Sequence, residues 1–137
     1  MKARKIMLPD VDVFTGYRAV TGDDGAAVLD ARGRPAMQET FQPARVAYSL
    51  LDLVSVNPAG GRADDVARML DLRDDIRAAV RDDKDHVVVS TEAWEACKRR
   101  IEAAQFTRND DVTAAMIRVV REAEAIEAGA DQTAASA

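Results

Sequence analysis

The sequence predicts a mainly helical α+β protein, with about four helices around one aliphatic core and a small antiparallel β region at the N-terminus. Three observations lead there. From residue 41 onward, apolar side chains recur at spacings of three and four, the period of a helix with one buried face. Before that point, apolar and polar residues alternate between clusters of Gly, Asp and Pro, as in half-exposed strands joined by turns. Aromatic residues make up 4% of a chain that is 47% hydrophobic, and there is one cysteine. The core is therefore mostly aliphatic, with Trp94 and the three Phe as its expected fixed packing points, and is not stapled by an internal disulfide. A chain of 137 residues is long enough to bury such a core as one unit. Residues 1–40 are expected to form the hairpin-containing region, residues 41–128 the helical domain, and residues 129–137 a flexible tail.

Lys5-Ile6-Met7-Leu8 is a short strand closed by Pro9. Val11-Asp12-Val13-Phe14 and Tyr17-Arg18-Ala19-Val20 continue the β pattern, and Gly22-Asp23-Asp24-Gly25 is a turn. Asp30 and Gly33 suit the first and last places of a second tight turn, because Asp accepts bonds from backbone amides and Gly tolerates unusual dihedrals. A first helix is expected from Thr40 or Gln42 as cap, with Pro43 in its first turn, through Val46, Ala47, Tyr48, Leu50, Leu51, Leu53 and Val54. It stops near Val56, before Asn57-Pro58-Ala59-Gly60-Gly61. Its apolar residues point in nearly every direction, so it is either central or lends a face to another chain.

A second helix over residues 62–82 carries the stripe Val66, Met69, Leu72, Ile76 and Ala79, with Arg73, Arg77 and Arg81 on another face. Val87-Val88-Val89 is an extended connector or a strand. Ser90-Thr91-Glu92 opens a third helix with a hydroxyl cap and an early acid, and Trp94, Cys97, Ile101 and Ala104 are its buried stripe. The last helix starts at Thr107-Arg108-Asn109-Asp110-Asp111 and carries Val112, Met116, Val119, Ala123 and Ile126. Its end, with Glu122, Glu124 and Glu127, opposes the helix dipole and is expected to fray.

The charge excludes some functions. Residues 1–45 hold seven Lys or Arg and six Asp or Glu, whereas the remainder holds twelve and eighteen. An acidic helical body repels phosphates, which disfavours nucleic-acid binding. The basic N-terminus resembles the start of a signal peptide, but the apolar run of Ile6, Met7 and Leu8 falls short of the roughly 7–15 residues required. No stretch approaches the ~20 apolar residues of a membrane span.

No residue set carries recognisable chemistry. His86 is the sole histidine, with acids beside it but no nucleophile in a known arrangement. Cys97 shares a stripe with Trp94 and Ile101, where a thiol acts as a small hydrophobe. Asp10 and Asp12 begin like a calcium loop, but Thr15 and Thr21 stand where that loop needs Gly and Glu. One His and one Cys are too few for a zinc site. Gly60-Gly61-Arg62 lacks the spacing and Lys of a nucleotide loop. Arg73, Arg77 and Arg81 are interleaved with Asp71, Asp74 and Asp75, as in a self-neutralised face or one that meets an acidic protein.

The order of elements resembles that of small proteins encoded among the structural genes of tailed bacteriophages. The β segment with the turn Asp30-Ala31-Arg32-Gly33-Arg34-Pro35, the hydrophobic helix from Phe41 to Val56, the Arg-and-Ile helix from Arg68 to Val80, and Val87-Val88-Val89-Ser90-Thr91-Glu92-Ala93-Trp94 carry the likeness. It spans most of residues 26–126. The resemblance implies a virion or assembly protein that acts through oligomeric contacts with itself or with other particle proteins, in the virion or the host cytoplasm. It implies no catalytic residues. A small cytosolic regulator, antitoxin- or repressor-like and binding a protein partner, is the alternative. Tyr48, Leu51, Val54, Arg73, Arg77 and Arg81 are the candidate interface. No catalytic residue, cofactor, metal or membrane contact is expected.

Overall fold

In the computed structural model, residues 2–57 and 60–127 are described. They form β1 (Lys2–Met7), β2 (Asp10–Ala19), β3 (Met37–Arg45), α1 (Val46–Ser55), α2 (Ala63–Arg81), β4 (His86–Ser90), α3 (Thr91–Ala103), α4 (Asp111–Arg121) and β5 (Glu124–Glu127). The expected tail, residues 129–137, lies outside the described residues.

Four helices form, α2 and α3 close to their expected bounds and α1 and α4 shorter than expected, but the protein is not mainly α with a small N-terminal β region. It is an α+β mix with two antiparallel sheets whose strands come from the whole chain. One sheet has the order β4-β1-β5, so the first strand is central and is flanked by strands from the middle and the end of the sequence. The other sheet is the long β2–β3 hairpin.

Three local expectations change with it. Phe41, Gln42 and Pro43 belong to β3 rather than to a helix start, and α1 begins at Val46. Pro43 pairs with Asp12 in a two-stranded sheet, where each strand keeps an open edge that tolerates a missing amide hydrogen. The acidic end of the last helix does not fray as a helix. The chain leaves α4 at Arg121 and pairs with β1, with Glu124 opposite Lys5 and Glu127 opposite Lys2. Opposite charges across a strand pair stabilise the register that the helix dipole disfavours as helix. His86, expected in a loop, is the first residue of β4.

The body is held by one apolar cluster. Ile6, Val46, Leu50, Leu72, Ile76, Cys97 and Val120 are sealed from water, and Met69, Trp94, Ile101 and Met116 join them. Leu53 and Val119 pack against the cluster while partly exposed. Val66, expected on the buried stripe of α2, is exposed. The Trp94 indole Nε1 donates to the Val120 carbonyl at 2.7 Å. That bond ties α3 to α4 and satisfies the ring's polar atom inside the core. Ser90 caps α3 as the sequence implies, its hydroxyl accepting from the Ala93 amide at 3.1 Å. Asp110 caps α4 in the same way, through the Thr113 amide at 2.8 Å.

Candidate interaction surface

The hairpin of β2 and β3 is an arm. Its base leans on the body. Val11 packs against the core cluster, Val13 and Ala44 are half-buried, and the Phe14 amide donates to an Asp111 carboxylate oxygen at 3.3 Å. Arg45, at the foot of β3, pairs with Asp10 at 3.6 Å.

A bulge gives the arm its character. The register runs Phe14 opposite Phe41 and then Gly16 opposite Thr40, so Thr15 is an extra residue in β2. Strand side chains alternate, so residues three apart normally face opposite ways. The inserted residue changes the phase, and Phe14 and Tyr17 meet edge to face, with ring centroids 5.4 Å apart. Phe41 meets Phe14 at 6.0 Å in the same manner. Gly16 adopts φ 137° after the bulge, a conformation that side-chain-bearing residues rarely take. The Thr15 and Thr40 hydroxyls bond across the opposite face at 2.9 Å.

One face of the arm therefore gathers Phe14, Tyr17, Phe41 and Met37, with Asp12 and Glu39 in the same alternation. Its apolar members are open to water: Phe14 is 44% exposed, Tyr17 62%, Met37 56% and Phe41 53%. Three of the chain's six aromatic residues thus lie on this one exposed face.

The far end is a small clover of hairpins. Val20, Val28 and Ala36 form a closed ring of backbone bonds: Val28 N–H to the Val20 carbonyl at 2.9 Å, Ala36 to Val28 at 2.7 Å, and Val20 to Ala36 at 2.9 Å. Between them, Thr21 bridges Ala27 and Leu29 bridges Pro35. The Asp30–Gly33 turn forms as expected. The Gly33 amide donates to the Asp30 carbonyl at 3.0 Å, and the Asp30 carboxylate accepts from the Arg32 and Arg34 amides. Backbone bonds thus hold the tip in shape while Val28 and Leu29 stay exposed.

The residues picked from the sequence fall in two places. On α1, Val54 is in the core and Leu51 packs against it; only Tyr48 stands out, 52% exposed, with the Arg45 guanidinium 5.4 Å from its ring centre. The apolar surplus of α1 is thus mostly used by its own body. On α2, Arg73 and Arg77 both reach Asp74, at 3.2 and 3.8 Å, and Arg81 reaches Asp82 at 3.7 Å. The same helix carries Asp75, whose carboxyl is pushed up by partial burial and then by the charges of Asp71 and Asp74. The three Phe, expected as packing points of the core, are all exposed. Phe14, Tyr17, Met37 and Phe41 are not among the interface residues expected from the sequence. The signal for them was the clustering of aromatics in a segment with few other large apolar groups, together with the Gly at residue 16.

Chemistry elsewhere is sparse. Burial pushes the Cys97 thiol up to about 12, so it stays protonated at ordinary pH. His86 meets the Asp85 carboxylate at 2.7 Å, and that hydrogen bond holds the carboxyl below its usual range. The Arg4 guanidinium lies 4.0 Å from the Trp94 ring centre, and the Lys98 ammonium 5.2 Å. A shallow depression beside it is lined by Glu95, Lys98, Arg99 and Glu102. Among the described residues, no group of three or more His, Cys, Asp or Glu is placed to hold a metal ion. Nor is any described helix long and apolar enough to cross a membrane. No family model, curated protein or solved structure matches the chain.

Proposed function

We propose that this chain works by contact rather than by catalysis, as a component of a tailed-phage particle or of the pathway that assembles one. The β2–β3 arm is its contact surface. The observation that carries this reading is the aromatic face of the arm: four large apolar side chains, brought to one side by a bulge and left about half exposed. A contiguous exposed patch of this kind marks an interaction site. A two-stranded ribbon is also marginal in water unless something packs against it. The particle setting rests on the resemblance in element order, over most of residues 26–126, to small proteins encoded among tailed-phage structural genes.

The test compares the wild-type chain with Phe14→Ser/Phe41→Ser, each supplied to a source strain deleted for the gene. Particles and partial particles are purified, and their proteins are identified by mass spectrometry. The wild-type chain is expected in particles or in an assembly intermediate, with the arm variant left in the soluble fraction. A wild-type chain absent from every particle and intermediate, with no change in titre on deletion, overturns the reading.

A further inference from the structure

We propose that the arm's occupant is a second copy of this chain, and that the arm lies along the flank of α2 bearing Val66, Leu70, Arg73, Arg77 and Arg81. This rests on the reading of the arm as a contact surface. Spacings of four, three, four and four place these five side chains on one flank of the helix. Val66 and Leu70 are exposed on it, Arg77 and Arg81 stand largely in water, and Arg73 is about one-third exposed. The flank is thus apolar at one end and basic at the other. Its three guanidiniums draw on only two carboxylates, Asp74 and Asp82, and exposed pairs of this kind exchange at little cost.

The arm face is the complement. It presents aromatic rings, on which guanidinium groups stack favourably. It also presents Asp12 and Glu39, which have no ion-pair partner among the described residues. The two surfaces agree in length. Val66 to Arg81 rises about 23 Å at a helix's 1.5 Å per residue, and Asp12 to Ala19 spans about 23 Å at 3.3 Å per residue in a strand. Within one chain the arm leans on α4 through β2, so the α2 flank is left for another copy. The contact is head to tail: each copy that offers its arm keeps a free flank, and assembly continues until a ring closes or a filament grows.

Sedimentation velocity from micromolar to near-millimolar concentration tests this with three proteins: wild type, Phe41→Glu and Leu70→Glu. Both substitutions are at exposed positions, and circular dichroism with thermal melts verifies the folds. The wild type is expected to associate reversibly beyond a dimer, and less so at high salt. Each variant is expected to weaken that association by roughly tenfold or more, as an unpaired charge at an interface does. Mixing the two variants should give a one-to-one dimer and nothing larger, because one intact arm and one intact flank remain between them. A wild type that stays monomeric throughout overturns the inference. So does association that Leu70→Glu leaves unchanged, or a mixture that forms no dimer. A monomeric wild type that nevertheless enters particles refutes the second copy alone and leaves the proposed function standing.

Discussion

In the body, Ile6, Val46, Leu50, Leu72, Ile76 and Val120 are sealed from water by elements drawn from the whole chain. In the arm, Phe14, Tyr17, Met37 and Phe41 keep about half of their surface or more in water, as does Leu29 at the tip. Both regions are rich in large apolar side chains, but only the body uses them to fold. What the arm shares with the body is its base, through Val11, Val13 and Ala44. Beyond the base its shape is set by backbone bonds and a bulge. The apolar content of a segment thus does not tell where folding energy resides, and a sharp divide is expected between substitutions that unfold the protein and substitutions that affect only the arm.

The largest effect is expected at the centre of the body. Leu72 and Ile76 are fully buried, so Leu72→Ala or Ile76→Ala should cost roughly 2–5 kcal/mol in urea melts, from lost burial and the cavity left behind. A cost near zero would mean that the body is loosely packed and would break the contrast. Next comes the bond between α3 and α4. Trp94→Phe removes the donor to the Val120 carbonyl, whose remaining bond, from the Ala123 amide, is long at 3.4 Å. A loss of roughly 1–2 kcal/mol is expected by the same measurement.

Helix caps should come third. Asp110→Ala is expected to cost about 1 kcal/mol, and Asp110→Asn very little, because Asn caps equally well. The two differ in pH dependence. Hydrogen bonds from Thr113, side chain first and backbone amide second, hold the Asp110 carboxyl below its usual range. A carboxyl depressed by folding adds stability that is present above its unfolded pKa, and that stability is lost as pH falls below about 4. Asp110→Asn should therefore flatten part of the acid limb of a stability-against-pH curve while leaving neutral-pH stability unchanged. An acid limb identical to the wild type's would place the titration elsewhere. Cys97 acts at the opposite end. Its thiol is raised to about 12, so the native protein should resist alkylation at mildly alkaline pH and react on unfolding. Its contribution to stability is complete below the unfolded value near 9 and is lost as pH rises toward 12. Rapid alkylation of the native protein would show that α3 opens locally.

The features legible in the sequence were those set by neighbours a few residues away. The Ser90 cap, the Asp30–Gly33 turn and the Leu72–Ile76 stripe depend on local chemistry, and all three form. What escaped depends on distant partners. Glu124, Ala125, Ile126 and Glu127 continue the helical period of α4, and only Lys2 and Lys5, at the other end of the chain, reveal them as a strand. Pro43 suits a helix's first turn as well as an open strand edge, and the facing β2 decides the matter. The arm escaped for a third reason. Alternation places Phe14 and Tyr17 on opposite faces, and only the bulge at Thr15 unites them. A helix that is apolar all round makes Tyr48, Leu51 and Val54 a candidate interface, yet its neighbours bury Val54 and half-bury Leu51.

The smallest effect on stability is expected on the aromatic face of the arm, the proposed contact surface. Phe41→Ser and Tyr17→Ser replace side chains that are more than half exposed, and each should change the stability of the isolated chain by no more than about 0.5 kcal/mol, the usual range for surface positions. Phe41 and Tyr17 both rest near Phe14, and edge-to-face pairs are worth about 0.5–1.5 kcal/mol when buried. The double substitution is therefore the more searching measurement. Water competes for the exposed rings, so the pair should cost little more than the sum of the singles. A double variant that lost several kcal/mol would show that the aromatic cluster is a second core stabilising the arm for its own sake. The division between body and arm would then fail. A double variant that melts with the wild type but no longer reaches its partner would place the work of these four side chains outside their own chain.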